Sequence, residues 1–108
     1  MIFDIIYSPE AQEDLADIYN HISVQFKSPE TAKAQVKRIR DKADSLIVSP
    51  KRYRVYLKSE WRGLSLRLCP VNNYSILYVV DEQNEFVRIA RIVCGRRNLD
   101  AIFINPNN

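Results

Sequence analysis

The chain has 108 residues, 46 % hydrophobic and 27 % charged, which is typical of one compact globular domain over residues 1–108. No apolar run approaches the roughly 20 residues that would span a bilayer, and the N-terminus has no signal-peptide pattern, so a cytoplasmic location without membrane contact is expected. Cys69, Cys94 and the single His21 are too few for a disulfide framework or a metal site, so neither a metal nor a cofactor is expected.

The charged residues are distributed unevenly along the chain. The formal net charge is +3, yet the first 26 residues contain five acidic residues and no lysine or arginine. Residues 27–108 therefore carry 16 basic and 8 acidic residues. A basic surface on a small domain is typical of nucleic-acid binding, although lysine-rich helices that are simply solvated have the same composition.

The first predicted elements are a short strand over residues 2–7 and a helix after it. Ser8, Pro9 and Glu10 form a helix start, with serine as N-cap, proline in the first turn and a carboxylate near the positive end of the helix dipole. Apolar residues then recur every three or four positions: Ala11, Leu15, Ile18, Ile22 and Phe26. This stripe predicts an amphipathic helix that runs to about residue 25.

A second helix is predicted directly after the first, because Ser28, Pro29 and Glu30 repeat the start signal. Its apolar stripe consists of Ala32, Val36, Ile39, Ala43, Leu46 and Ile47. Ser49-Pro50 is expected to end this helix, since proline cannot continue it. Two amphipathic helices joined by so short a link predict an antiparallel helical hairpin.

The rest of the chain is predicted to be mainly strand. Residues 51–63 lack clear periodicity and are expected to form a basic loop that leads into a strand. Alternating or β-branched runs bounded by turn residues then predict three strands, over residues 64–68, 74–80 and 86–94. A short helix or tail is expected near residues 99–104.

This order of elements predicts an α+β fold. We expect an N-terminal strand, an antiparallel two-helix hairpin packed on one face of a mainly antiparallel four-stranded sheet, and a short C-terminal helix or tail. The last three strands form a meander, and the first strand joins its edge. In residues 64–68 the leucines face one side and Arg67 the other. One face is covered by the helices, and we expect the other face to be left for Arg67.

The last strand ends in a glycine followed by two arginines, Gly95-Arg96-Arg97. A residue without a side chain permits a sharp turn, and arginine presents a rigid fork of donors that fits phosphate oxygens. Arg91 has the same alternation parity as Gly95 and Arg97, so we expect it on the same face. The pattern predicts an anion-binding rim at the end of the sheet.

Taken together, these segments resemble the RelE/ParE toxins of type II toxin–antitoxin systems. Four pieces carry the resemblance: Tyr7–Ala11 with Asp14-Leu15 and Ile18-Tyr19; Pro29–Ala32; Arg67 with Asn73–Tyr78; and Arg88–Asn98. The resemblance implies a toxin of the plasmid-stabilisation (addiction) type, kept inactive by a cognate antitoxin. RelE-like members cut mRNA in the ribosomal decoding site, and ParE-like members poison DNA gyrase.

If this chain cleaves RNA, its candidate catalytic residues are Arg67, Arg97, Arg91 and Cys94. Cleavage requires deprotonation of a 2′-hydroxyl, stabilisation of charge at phosphorus and protonation of the leaving oxygen. The arginines would stabilise the charge, whereas a surface ion pair is the structural alternative for Arg67 and Arg91. The chain departs from RelE-like members at Ser75, Cys94 and Phe103. Members often have an arginine at the first of these positions, a histidine or tyrosine at the second and a tyrosine at the third.

Six further basic residues are predicted to bind nucleic acid: Lys51, Arg52, Arg54, Lys58, Arg62 and Arg96. This basic half of the chain favours a ribosome-dependent mRNA endonuclease (an mRNA interferase), with the ribosome and mRNA as partners. The missing acid–base residues favour the alternative, a ParE-like poison of DNA gyrase without nuclease activity. A non-catalytic partner of the antitoxin is the third hypothesis. Of the three, the sequence interpretation favours ribosome-dependent mRNA cleavage, with the other two as alternatives.

Overall fold

The computed structural model of the chain describes residues 3–61 and 63–95, with only the backbone given for residues 56–61. Its elements are β1 (Asp4–Tyr7), α1 (Pro9–Gln25), α2 (Pro29–Ser45), a 3₁₀ turn (Pro50–Arg52), β2 (Val55–Trp61), β3 (Leu64–Val71), β4 (Tyr74–Asp81) and β5 (Phe86–Cys94). Within the described residues, no helix combines the length and hydrophobicity needed to cross a bilayer.

The strands form one sheet in the order β1-β5-β4-β3-β2. Strand β1 runs parallel to β5, and the other neighbours are antiparallel. The predicted α+β class, the meander and the position of β1 at the edge are therefore confirmed. The sheet has five strands where four were expected, because residues 55–61 pair with β3 although no alternation marks them as a strand. The register of β2 shifts between Val55 and Glu60, and charged residues are common on such irregular edge strands.

Both helices begin where the sequence predicts. The Ser8 Oγ accepts a hydrogen bond from the Ala11 N–H at 2.9 Å, and the Ser28 Oγ accepts one from the Thr31 N–H at 3.2 Å. These bonds satisfy N–H groups that have no partner inside the helix. Helix α1 ends at Gln25 as expected, whereas α2 ends at Ser45, before the Ser49-Pro50 pair.

The two faces of the sheet carry separate apolar clusters. On one face Leu15 and Ile39 of the helices pack in one core with Ile76, Tyr78 and other residues of the sheet. The opposite face carries a smaller cluster, whose fully buried members are Leu66, Leu77, Val79 and Ala90. The leucines of β3 therefore lie on the face without helices.

This arrangement corrects the expected position of Arg67. Alternation along β3 places Arg67 on the same face as Cys69, and the direct cross-strand partner of Arg67 is Tyr78. Both Cys69 and Tyr78 belong to the cluster that the helices cover. Arg67 therefore lies on the helix-bearing face. Alternation separated the two sides correctly, but it does not indicate which side the helices cover, because leucine suits either core.

A β-bulge in β5 sets the position of Arg91. Leu77 pairs with Arg91 while the next residue, Tyr78, pairs with Ile89, so Ala90 is the extra residue. A bulge of this kind bends the strand and changes which side chains share a face. Ile89 and Ile92 both join the helix-side core, and Arg91 lies opposite Leu77 on the other face.

Candidate functional site

Helix α1 completes the edge of β5 where β1 ends. Strand β1 pairs with β5 only from Asp4↔Phe86 to Tyr7↔Ile89. Beyond this point Ser8 takes over: its N–H donates to the Ile89 carbonyl at 2.9 Å, and its Oγ donates to the Ala90 carbonyl at 2.7 Å. Ser8 is buried, so these bonds satisfy backbone groups that water does not reach.

Six residues after Ser8, Asp14 of α1 binds the same edge. The Arg91 Nε and Nη2 donate to the two oxygens of Asp14 at 2.8 and 2.9 Å. The Ile92 N–H donates to Asp14 Oδ2 at 2.9 Å. The hydrogen bonds that Arg91 donates to the Asp14 carboxylate raise the pKa of Arg91, and the nearby charges of Asp14, Glu10 and Glu13 add to this. This candidate catalytic arginine therefore joins α1 to β5 through a bidentate ion pair.

Arg67, the second candidate catalytic arginine, bonds to the main chain around the 3₁₀ turn. Its Nη1 donates to the Tyr53 carbonyl at 2.7 Å and to the Lys51 carbonyl at 3.3 Å. The neighbouring Tyr78 hydroxyl donates to the Pro50 carbonyl at 2.6 Å. Burial raises the pKa of Tyr78 to about 12. Arg67 and Tyr78, two side chains of the sheet, thus donate hydrogen bonds to three backbone carbonyls within residues 50–53.

The fixed main chain presents a basic segment, which we define as residues 51–54 (Lys51-Arg52-Tyr53-Arg54). Its three cationic residues are exposed. The Arg52 guanidinium lies 5.5 Å from the centre of the Tyr53 ring, and the Lys42 Nζ lies 5.8 Å from it. Arg52 also donates to the Ser45 Oγ at 2.6 Å, and Lys51 forms an ion pair with Glu82. Three of the predicted nucleic-acid-binding residues are thereby brought together.

Cys94 lies at the far end of the sheet from this segment, opposite Tyr74 on β4. The thiol residue is exposed, and burial, followed by the charge of Cys94, raises the pKa of Tyr74. Both residues line an open recess of about 440 Å³, together with Pro70, Asn72, Asn73, Ser75 and Gly95. Gly95 has a φ of +69° and its N–H donates to the Asn73 carbonyl at 2.6 Å, so the sharp turn expected at this glycine is present.

Several predicted site residues lie outside the described residues. These are Arg62, Arg96, Arg97 and the Phe103 position. Lys58 lies on β2, where only the backbone is described. Arg97, the arginine expected at the rim, therefore stays a prediction.

The sequence interpretation missed Asp14 and Tyr53 as members of these clusters. Asp14 is three residues after Ala11 and four before Ile18, so it borders the apolar stripe of α1. A carboxylate in that position predicts a partly buried cation as its partner. Tyr53 lies within residues 51–63, for which the sequence predicts only a basic loop. Among the side chains described, those of residues 3–55 and 63–95, no three His, Cys, Asp or Glu residues are arranged to hold a metal ion.

Comparison with known proteins places this architecture among bacterial and archaeal toxins. A structure of the chromosomal ParDE toxin–antitoxin system from Pseudomonas aeruginosa is 23 % identical, with a TM-score of 0.71 over 88 % of this chain and 98 % of that one. The archaeal RelE-RelB complex from Pyrococcus horikoshii is 16 % identical, with a TM-score of 0.60 over 90 % and 99 % of the two chains. The RelBE2 complex from Mycobacterium tuberculosis is 20 % identical, with a TM-score of 0.59 over 87 % and 99 %.

The helical hairpin on a five-stranded sheet is thus the fold of the ParE and RelE toxins. The family model for the "ParE toxin of type II toxin-antitoxin system, parDE" matches residues 5–99. The chain therefore belongs to the ParE toxin family of type II toxin–antitoxin systems. A search of curated proteins finds no match.

Proposed function

We propose that this toxin stops growth in the cytoplasm by binding DNA gyrase and trapping it on DNA, without cleaving RNA. The main support is that two candidate catalytic guanidiniums already bond to other groups of the chain. Arg91 holds both oxygens of Asp14, and Arg67 holds two backbone carbonyls. To stabilise a phosphate in a transition state, each could use only the N–H groups that these bonds leave over, and Asp14 already balances the charge of Arg91.

The chemistry of the neighbouring groups supports the same proposal. RNA cleavage needs a side chain that accepts a proton from the 2′-hydroxyl. Tyr78, beside Arg67, already donates to a carbonyl and has a pKa of about 12. It therefore stays protonated at neutral pH and is a poor base. Inhibition through binding requires no proton transfer.

The family match agrees with a binding mechanism. The matched family model is that of ParE, and the resemblance associates ParE-like members with gyrase and RelE-like members with mRNA. The departures at Ser75, Cys94 and Phe103 remove side chains that RelE-like cleavage uses. A gyrase poison is not affected by these departures.

Ribosome-dependent mRNA cleavage is the second candidate. The exposed cations of the basic segment favour it, because they suit any phosphodiester backbone. In this mechanism Arg97 would be the main charge-stabilising residue, with Arg96, Lys58 and Arg62 binding the RNA. Cys94 would be the remaining group for proton transfer.

Two parallel assays with the purified toxin separate the candidates. In the first, gyrase supercoils relaxed plasmid in the presence of ATP, and the toxin is added in increasing amounts. We expect supercoiling to stop and linear DNA to appear after protein denaturation. In the second, a cell-free translation reaction is given the same amounts of toxin, and we expect the mRNA to stay intact. Codon-dependent cuts with unaffected gyrase would reverse the assignment.

We also propose a cognate antitoxin as the partner of this chain. The matched structures from M. tuberculosis and P. horikoshii are toxin–antitoxin complexes. Co-expression with the protein of the neighbouring reading frame is expected to restore growth, and the two proteins should co-purify. Continued toxicity without co-purification would contradict this pairing.

A further inference from the structure

We propose that the basic segment, together with Lys42, binds the phosphate backbone of duplex DNA. The proposal deepens the gyrase function, on which it rests for its biological role, because a toxin that traps gyrase on DNA has a duplex within reach. Lys42, Lys51, Arg52 and Arg54 surround Tyr53 or flank it in sequence, and Arg67 lies beneath its carbonyl. Phosphate contacts of this kind dominate non-specific affinity for DNA.

The main chain of this surface is held in place before any ligand arrives. The Pro50 carbonyl accepts the Tyr78 hydroxyl, and the Lys51 and Tyr53 carbonyls accept Arg67. Because both donors are side chains of the sheet, the segment is attached to β3 and β4. A ligand that binds here spends little free energy on ordering the loop.

Two of the cations are positioned as well. The Tyr53 ring, which is half-buried, lies within cation–π distance of Lys42 and Arg52. The hydrogen bond from Arg52 to Ser45 fixes the guanidinium further. Stacking on a ring leaves the outer N–H groups of arginine available to an anion.

The carboxylate of Glu82, which bonds to this surface, does not cancel the positive charge of the surface. Glu82 pairs with Lys51, and both side chains are more than half exposed. Such an exposed ion pair is worth little and is screened by salt, so a phosphate can replace the carboxylate. The exposed side of α2 differs in its number of acidic groups, because three exposed carboxylates, those of Glu30, Asp41 and Asp44, lie among its cations.

The test is the salt dependence of binding to a labelled DNA duplex of about 20 base pairs, measured by fluorescence anisotropy. Each phosphate contact contributes about 0.9 to the slope of log K against log salt. The full-length variant K51Q/R54Q, which removes two exposed cations, should therefore reduce the slope by about two. The matched control K33Q/K37Q removes the same charge from α2 and should leave the slope nearly unchanged. A single-stranded RNA of the same sequence forms the second arm.

Equal slopes for the two variants, or no binding of the wild type to the duplex at low salt, would overturn the proposal. So would tighter binding to the RNA than to the duplex at equal salt. The gyrase assay tests the proposed function independently of the DNA-binding measurement. If wild-type toxin does not inhibit gyrase, the proposed function is wrong, while the slope comparison still decides whether the segment binds DNA.

Discussion

Asp14 and Arg91 are 77 residues apart in the chain and form a bidentate ion pair at the edge of the sheet. The same carboxylate accepts the Ile92 N–H. The Asp14 side chain of α1 therefore replaces the backbone pairing that a longer β1 would provide, because it satisfies a backbone donor of β5 beyond Tyr7. This contact also keeps a candidate functional arginine engaged inside the protein.

The first prediction concerns that ion pair. D14N should lower the free energy of unfolding by about 2 kcal/mol, because hydrogen bonds to a charged group are the strong ones and Arg91 loses its counter-ion. Urea denaturation measures the change. D17N removes an exposed carboxylate of the same helix and should change stability by about 0.5 kcal/mol or less. Equal effects of the two variants would mean that the ion pair contributes little.

The second prediction concerns Tyr78 in alkali. Because its folded-state pKa of about 12 lies above its ordinary value, the phenol contributes stability that is present below about pH 10 and lost as pH rises towards 12. The wild type should therefore lose stability with rising pH more steeply than Y78F. At neutral pH, Y78F should be less stable by about 1–2 kcal/mol, since the buried Pro50 carbonyl loses its donor.

Urea midpoints at several alkaline pH values test this difference. Parallel pH profiles for Y78F and the wild type would contradict the predicted linkage.

The third prediction concerns the stability of the protein at acidic pH. Hydrogen bonds from Asn84 and Arg88 hold the pKa of Asp81 below its ordinary value. The carboxylate therefore contributes stability that is present above about pH 4 and lost as the pH falls through the lowered folded-state pKa. D81N should be less stable than the wild type at neutral pH, and the gap should close in acid. Thermal melting over an acidic pH series measures this. A constant gap at every pH would exclude the ionised carboxylate as the cause.

The fourth prediction concerns the turn after β5. Gly95 has a φ of +69°, although an added Cβ would meet no atom within 4 Å. The cost of G95A is then backbone strain alone, about 1 kcal/mol, seen as a lower melting temperature. G95N should cost less, because asparagine tolerates this conformation better than alanine. If alanine is tolerated as well as asparagine, the turn is not strained in solution.

The fifth prediction concerns Cys94 and follows from the proposed function. C94S should inhibit growth as strongly as the wild type when its expression is induced, since gyrase binding needs no thiol for proton transfer. Colony counts after induction measure the effect, with protein levels checked by immunoblot. A loss of toxicity at equal protein level, together with loss of mRNA cleavage in the translation assay, would favour the nuclease.

Much of the fold could be predicted because its signals are local. The Ser-Pro-Glu starts indicate both helices, since a cap and a proline act within one turn. The apolar stripes indicate which helix sides are buried, and Asn72-Asn73 and Gly95 mark turns. The sequence does not predict β2, because residues 55–61 show no alternation of their own. They form a strand only through their irregular pairing with β3.

The candidate site was less predictable, because its contacts join distant parts of the chain. The sequence by itself determined the class of fold, the helix boundaries near each serine cap and the excess of positive charge after residue 26. Only the tertiary structure decided that Arg91 meets Asp14, that Arg67 lies on the helix-bearing face and that Tyr78 and Arg67 fix the basic segment. Alternation indicates that two residues lie on opposite sides, but packing decides which side is covered and which charges meet.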